Sequence, residues 1–263
     1  MSDAKHDVES LFEAALERRS VAYKVAGGSL YEVQVGETSL TVSLDNVRRN
    51  YERDGDAGAV ERFADMVCGG GFGPQLPWEE AREHLRYALE PSDYAVELED
   101  VLHEPVTDGL VKVFVVASPD GARLSWVSDG MMEGWGVGRE EVVKQASANM
   151  DGLVRGTRLE VQDIDGVKLG MLALKDTHFK ASLLLSPAFR ELVEPVHGWP
   201  VFAVAPARDF VYVLSHKERG FLGRLGHVVL REYNGSGHPI TADVLGVDDS
   251  GVTAIGSFAP REA

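Results

Sequence analysis

The hydrophobic periodicity of this chain switches repeatedly between the spacing of a helix and the alternation of a strand. Apolar residues such as Val8, Phe12 and Leu16 recur at helical spacing. Residues 21–45 instead alternate in three segments broken by glycines, which is typical of a three-stranded meander. Further along, strand pairs are separated by single helices, and strict strand–helix–strand alternation is absent. This order predicts an α+β fold of antiparallel hairpins and meanders packed with interleaved helices, rather than a doubly wound parallel sheet.

The second half of the chain contains the clearest strand pairs. Hairpins are predicted at 110–117 with 123–127, 158–163 with 167–174, 201–205 with 210–214, and 239–246 with 251–258. Helices are predicted at 138–150, 181–194 and 221–233, and Pro77 opens an earlier one. Residues 91–109 are acidic, poorly periodic and interrupted by prolines. They predict a linker between an N-terminal α+β domain, 1–90, and a C-terminal α+β domain, 110–263.

The charge of the chain excludes several classes of protein. It has 26 basic and 42 acidic residues, so its formal charge is −16. Proteins that wrap nucleic acid or bind membranes through polybasic segments need the opposite sign, so neither partner is expected. The 44% hydrophobic content is enough to build a core. No apolar run is long enough to span a membrane, and the charged first residues lack the core of a secretory signal. We therefore expect a cytoplasmic protein, and its oligomeric state does not follow from the sequence.

No cofactor or metal site is predicted. No two of the eight histidines lie three to five residues apart, and no HExxH or GxSxG motif occurs. The single cysteine, Cys68, excludes an intrachain disulfide. The glycine-rich run after it has the composition of a phosphate loop, but it follows a helix and precedes one that begins with glutamates. Cys68 lies on the apolar face of its own helix, so a buried structural thiol is expected.

Residues 78–108 are the most acidic part of the chain. They contain ten acidic and two basic residues, together with interleaved aromatic side chains. Such density predicts a docking surface for a basic protein partner, with aromatic anchors. The alternative interpretation is a solvated helix face and linker. The candidate partner-binding residues are Trp78, Glu79, Glu80, Glu83, Tyr87 and Tyr94. The main functional prediction is accordingly a non-catalytic binding or adaptor protein.

The segment 205–234 has the opposite sign, with five basic and three acidic residues. Arg208 and Asp209 occupy a turn between two apolar strands, where they could line a pocket for an anion or a carboxylate. The alternative interpretation is an internal Arg208–Asp209 pair that fixes the turn. Together with Asn149 and Ser182, these residues define the alternative functional prediction, an enzyme of unknown reaction with a polar pocket.

Four short motifs occur in order between residues 126 and 250. They are Glu133-Gly134-Trp135 continuing through Glu140, Ala146 and Asn149-Met150; His178-Phe179-Lys180-Ala181-Ser182; Val204-Ala205-Pro206-Ala207-Arg208-Asp209; and His238-Pro239-Ile240. In this order they resemble the YtpQ-like bacterial proteins, a domain-of-unknown-function family. The resemblance implies a cytoplasmic α+β protein, and it supplies no catalytic residues to transfer.

Overall fold

The computed structural model describes residues 7–27, 29–35, 38–44, 47–48, 51, 55, 57–68, 76–93, 98, 100–117, 124–174 and 177–259. Within these residues the chain forms seven α-helices and three antiparallel sheets, which confirms the α+β prediction. It divides into two compact units, Met1–Gln75 with Gly235–His238 and Leu76–Asn234 with Pro239–Ala263. No helix in the described ranges is both long enough and apolar enough to cross a bilayer.

In the ranges that the structure describes, the first unit contains a meander and helices. The strands are β1 Tyr23–Gly27, β2 Leu30–Val35 and β3 Thr38–Ser43, with β2 in the centre. The helices are α1 Val8–Arg18 and α2 Ala57–Cys68. The apolar stripe of α1 is buried as its spacing predicts, with Phe12 packed edge-on against Tyr31. Arg19 fixes the two helices together, donating to Glu61 at 3.0 Å and to Asp65 at 2.5 Å.

The second unit contains a four-stranded and a six-stranded sheet. The first is made of β4 Leu85–Pro91, β5 His103–Thr107, β6 Leu110–Ala117 and β7 Leu124–Trp126. Central β6 pairs with β4 on one side and with β5 and β7 on the other. The second is made of β8 Arg158–Ile164, β9 Val167–Ala173, β10 Val201–Ala207, β11 Phe210–Ser215, β12 Asp243–Asp248 and β13 Gly251–Ser257. Its order is β13-β12-β10-β11-β9-β8. Three of the four predicted strand pairs lie in this sheet, and the fourth, β6 with β7, lies in the four-stranded sheet.

The second unit also contains helices that pack against its two sheets. They are α3 Trp78–His84, α4 Asp129–Trp135, α5 Arg139–Gly156, α6 Phe189–His197 and α7 Gly226–Gly235, with 3₁₀ segments Thr177–Phe179, Ala181–Leu185 and His216–Leu225. Alternate residues of β10 point to opposite sides. Ala203 joins the core shared with the four-stranded sheet, α5 and α6, whereas Val204 packs under Phe221 and Val229. This alternation gives the sheet two buried faces.

The division into units differs from the predicted domain boundaries. Strand β4 falls within the predicted N-terminal domain, 1–90, yet it pairs along its whole length with β6. The predicted linker, 91–109, contains strand β5. Pro105 has no backbone N–H to donate to a neighbouring strand, which argues against a place inside a sheet. Strand β5 lies at a sheet edge, where the missing donor is tolerated. The boundary between the units therefore lies at Gln75–Leu76.

Candidate functional site

The described acidic residues of the stretch 78–108 do not form one surface. Glu79, Glu80 and Glu83 are exposed on α3, which immediately precedes β4. Asp93 and Asp108 are exposed beyond the other end of β4, a strand of seven residues. Such a strand spans about 20 Å, so the two groups are well separated. These exposed carboxylates of the stretch therefore lie in separate groups, and the single docking surface stays a prediction.

One carboxylate of the stretch is not on the surface at all. Glu90 is 1% exposed and pairs with Arg208, whose Nη2 donates to Glu90 Oε1 at 2.5 Å. Burial raises the pKa of the Glu90 carboxyl, while the neighbouring guanidinium acts in the opposite direction. A buried, paired group of this kind cannot contribute to partner docking.

The three aromatic candidates have different environments. Trp78 is partly buried, with its ring 5.7 Å from that of Trp135. Tyr87 is 1% exposed and packs edge-on against Phe114, so it belongs to the core and not to a docking surface. Tyr94 lies outside the described residues. Trp78 is therefore the aromatic candidate that the structure places beside exposed carboxylates.

Contacts from distant parts of the chain fix α3 in place. Trp135 Nε1 at the end of α4 donates to the Leu76 carbonyl at 2.8 Å. Asn149 on α5 donates to the carbonyls of Arg82 and Leu85, at 2.8 and 2.9 Å. These carbonyls lie at the C-terminal end of α3, where a helix leaves acceptors without backbone partners. Asn149, predicted to line a pocket, thus has a structural role at the end of α3.

The arrangement joins three acidic helix segments into what we call the acidic helical face: α3, α4 and the first turns of α5. Its exposed carboxylates are Glu79, Glu80, Glu83, Asp129, Glu133, Glu140 and Glu141. The basic residues of the same segments are Arg82, Arg139 and Lys144. Arg82 lies 3.3 Å from Glu79, and Arg139 donates to the His103 carbonyl. Carboxylates therefore outnumber cations on this face by about two to one.

A cavity lies within the acidic helical face. It has a volume of about 370 Å³ and is lined by Asp129, Met132, Glu133, Gly136 and Val137. Met132 and Val137 give it apolar walls, and Asp129 and Glu133 supply two carboxylates. A lysine or arginine side chain matches this lining, because its aliphatic stem suits apolar walls and its charged head suits carboxylates. The cavity can accordingly hold a lysine or arginine side chain.

The predicted pocket around Arg208 and Asp209 has another role. Arg208 pairs with Glu90 and not with Asp209, which is exposed, so the expected internal Arg208–Asp209 pair is wrong. Ser182 Oγ accepts the Leu89 N–H at 2.9 Å, and the Ala181 N–H donates to the Arg208 carbonyl at 3.1 Å. These contacts attach the β10–β11 turn and the 3₁₀ segment 181–185 to the end of β4.

The four pocket candidates are not brought together. Asn149 bonds at the start of β4, through Leu85, whereas Ser182 bonds at Leu89 and Arg208 at Glu90. Four to five residues of strand separate these points, which is about 15 Å. The structure thus unites Ser182 with Arg208 and places Asn149 elsewhere.

Sequence reasoning missed a second cavity, a cleft of about 410 Å³ between β5, β6, α6 and the β12–β13 turn. Lys112 in this cleft pairs with Glu104 at 2.5 Å. Arg190 pairs with Glu194 and Asp249, and Trp199 Nε1 also donates to Asp249. Its lining comes from segments more than a hundred residues apart, and no local pattern reveals it. Both cations are already matched by carboxylates.

Metal and thiol chemistry receive no support from the geometry. Across the described ranges, no group of three or more His, Cys, Asp or Glu side chains could hold a metal ion. Cys68 packs partly buried against the core of the first unit, and burial raises the pKa of its thiol. A thiol with a raised pKa has less of the reactive thiolate at neutral pH.

Comparisons with protein-family models, with curated proteins and with solved structures yield no match. The resemblance to the YtpQ-like proteins therefore stays a prediction.

Proposed function

We propose that this chain is a non-catalytic binding protein whose acidic helical face docks a basic segment of a partner protein. The observation that carries the proposal is the cavity at α4 and the turn that follows it, where Asp129 and Glu133 stand beside Met132 and Val137. A partner lysine or arginine would place its stem against the apolar walls and its head between the carboxylates. The surrounding glutamates would attract the basic segment before contact.

The expected strength follows from the exposure of these charges. Each exposed ion pair contributes about 1 kcal/mol or less, so affinity depends on several pairs and on the anchored side chain. Exposed charges are also screened by salt beyond about 8 Å at physiological ionic strength. Binding should therefore weaken as salt rises, and its association rate should fall most.

The proposal also includes a protein family and a cellular compartment for this chain. The motifs between Glu133 and Ile240 support assignment to the YtpQ-like family, and with it a cytoplasmic location. A reducing compartment suits a single thiol that packs against a core and forms no disulfide.

The enzyme alternative lacks an equivalent observation. Neither of the two cavities described above includes Asn149, Ser182, Arg208 or Asp209. Ser182, Arg208 and Asn149 are engaged in contacts that hold β4, α3 and the β10–β11 turn together. The geometry therefore favours binding over catalysis.

The test uses a fluorescent peptide of alternating lysine and serine as the basic probe, followed by fluorescence anisotropy. The variant Glu83→Lys/Glu133→Lys reverses two charges in the last turns of α3 and α4, where lysine suits the helix dipole. We expect it to bind the probe about tenfold more weakly, a change of about 1.4 kcal/mol. Wild-type binding should be lost between about 50 and about 500 mM salt.

The matched control is Glu160→Lys/Glu191→Lys, which makes the same change in net charge on β8 and α6. It should bind the probe within about twofold of wild type, since screening isolates distant charges. Equal weakening in both variants would mean that the probe responds to net charge alone, and the proposal would then fail.

A further inference from the structure

Strand β8 forms an open edge of the six-stranded sheet. Its register with β9 is unbroken, from Arg158 opposite Ala173 to Ile164 opposite Val167. Five of its seven side chains are exposed, and its most extensive contacts are with β9 and α6. No backbone hydrogen bond from another described residue reaches its outer side. An edge of this kind offers a row of N–H and C=O groups to a further strand.

The other long edges of the second unit are blunted. Strand β13 has a bulge at Ile255 and packs near its start against β5. Strand β5 carries Pro105 and is bulged between Pro105 and Thr107. On β4, the Leu89 N–H is satisfied by Ser182 Oγ. Bulges, prolines and capping contacts are the usual protections of a sheet edge. In the described residues, strand β8 has no bulge, proline or capping contact, and the charged side chains along it are Arg158, Glu160 and Asp163.

We infer that the outer edge of β8 pairs with β8 of a second copy of this chain, antiparallel about a two-fold axis at Val161. Val161 is 43% exposed, the highest value among large hydrophobic side chains described in the second unit. On the axis it faces its own counterpart, so the two side chains cover each other. The pairing converts two six-stranded sheets into one continuous sheet across the dimer.

The side chains of β8 suit this register. The facing pairs are Val161 with Val161, Glu160 with Gln162, Leu159 with Asp163, and Arg158 with Ile164. No like charges are directly opposite, whereas an axis at Glu160 would oppose two glutamates at a cost in stability. The net charge of the strand is −1, from one basic residue, Arg158, and two acidic ones, Glu160 and Asp163, whereas the whole chain carries −16. Two acidic molecules can therefore approach here with little local repulsion.

The contact is small, so the dimer is weak. Seven residues of strand extend about 23 Å, and the interface falls in the size class of transient associations. Backbone hydrogen bonds and apolar contact hold it, and neither depends strongly on salt. Dimerisation should therefore change little with salt, whereas peptide binding at the acidic helical face should weaken. The two contacts can be distinguished by this difference.

Sedimentation velocity of the full chain at up to about 100 µM tests the inference, at a concentration suited to a weak interface. Val161→Glu places two carboxylates on the axis and should leave a monomer. Its matched control is Ile255→Glu, since Ile255 is 38% exposed on the opposite edge strand. This control should dimerise like wild type. Circular dichroism establishes that both variants are folded.

Cross-linking tests the register independently of the mutation's effect on affinity. In a Cys68→Ser background, Val161→Cys should be linked to a second copy by a short bis-maleimide at least tenfold faster than Ile255→Cys. A wild type that stays monomeric, loss of dimer in both glutamate variants, or equal cross-linking rates would each overturn the inference. Binding of the lysine–serine peptide by Val161→Glu reports on the proposed function separately.

Discussion

The buried pair of Arg208 and Glu90 shows how one residue can be assigned the wrong partner from sequence. Arg208 is adjacent in sequence to Asp209 but 118 positions away from Glu90, which it contacts at 2.5 Å. Its side chain is 12% exposed, and its Nε is buried without an acceptor among the described residues. A turn makes the neighbouring acid the obvious partner, but Arg208 contacts Glu90 at the end of β4 while Asp209 stays exposed.

Removal of one member of this pair should destabilise the fold strongly. Arg208→Ala leaves the Glu90 carboxylate buried without a cation, and the expected loss in unfolding free energy is about 3–5 kcal/mol. Replacing both residues, as in Glu90→Leu/Arg208→Met, should cost clearly less because no charge is left buried. Urea unfolding monitored by circular dichroism measures both.

The exposed pair of Arg231 and Glu232 provides the control for that comparison. Its partners are 2.7 Å apart, with Arg231 largely exposed. Arg231→Ala should change the unfolding free energy by about 1 kcal/mol or less. If Arg208→Ala had an effect this small, the Glu90–Arg208 pair would not be a buried structural contact.

At the scale of elements, hydrophobic periodicity predicted most helices and strands. It did not predict where one secondary structure changes into another within a continuous segment. Pro77 begins a helix, yet α3 ends after seven residues and the chain continues directly as β4. The single helix expected at 181–194 is a 3₁₀ segment followed by α6, with Ser186 and Pro187 between them. Proline disfavours helical geometry in the residue before it, so Pro187 was the available signal.

Helix α3 depends on a contact that its own sequence does not contain. With seven residues it is too short to be stable alone, and Asn149 supplies donors to two carbonyls at its end. Asn149→Asp keeps the shape but removes the donating amide, and it places a negative charge beside carbonyl oxygens. We expect a loss of about 1–3 kcal/mol in unfolding free energy.

The same variant should also weaken peptide binding, because α3 carries three carboxylates of the acidic helical face. Gln162→Glu, an amide-to-acid change at an exposed position of β8, is its control and should alter neither quantity measurably at protein concentrations low enough to keep the chain monomeric. Unchanged stability in Asn149→Asp would contradict a role for the Asn149 hydrogen bonds in holding α3.

At the scale of the whole molecule, the sequence revealed half of the candidate site. The glutamates of α3 are visible as part of an acidic run, but Asp129, Glu133, Glu140 and Glu141 lie far along the chain. Long-range contacts such as the Trp78–Trp135 ring contact, the Trp135–Leu76 hydrogen bond and the Asn149 bonds bring these segments together. Long-range packing of this type leaves no local period. The same packing removed Glu90 and Tyr87 from the predicted surface, since a buried strand can contain charged or aromatic residues.

The formal charge of −16 makes a final prediction about the molecule as a whole. Dense like charge destabilises the compact state, and added salt screens that repulsion. Sodium chloride raised from about 10 to about 200 mM should therefore increase the thermal midpoint by a few degrees. Exposed ion pairs such as Arg18 with Glu61 are weakened by the same salt, but each contributes little. Glu160→Lys/Glu191→Lys reduces the formal charge to −12 and should show a smaller increase. A thermal midpoint that falls with salt in differential scanning calorimetry would mean that ion pairs outweigh the net repulsion.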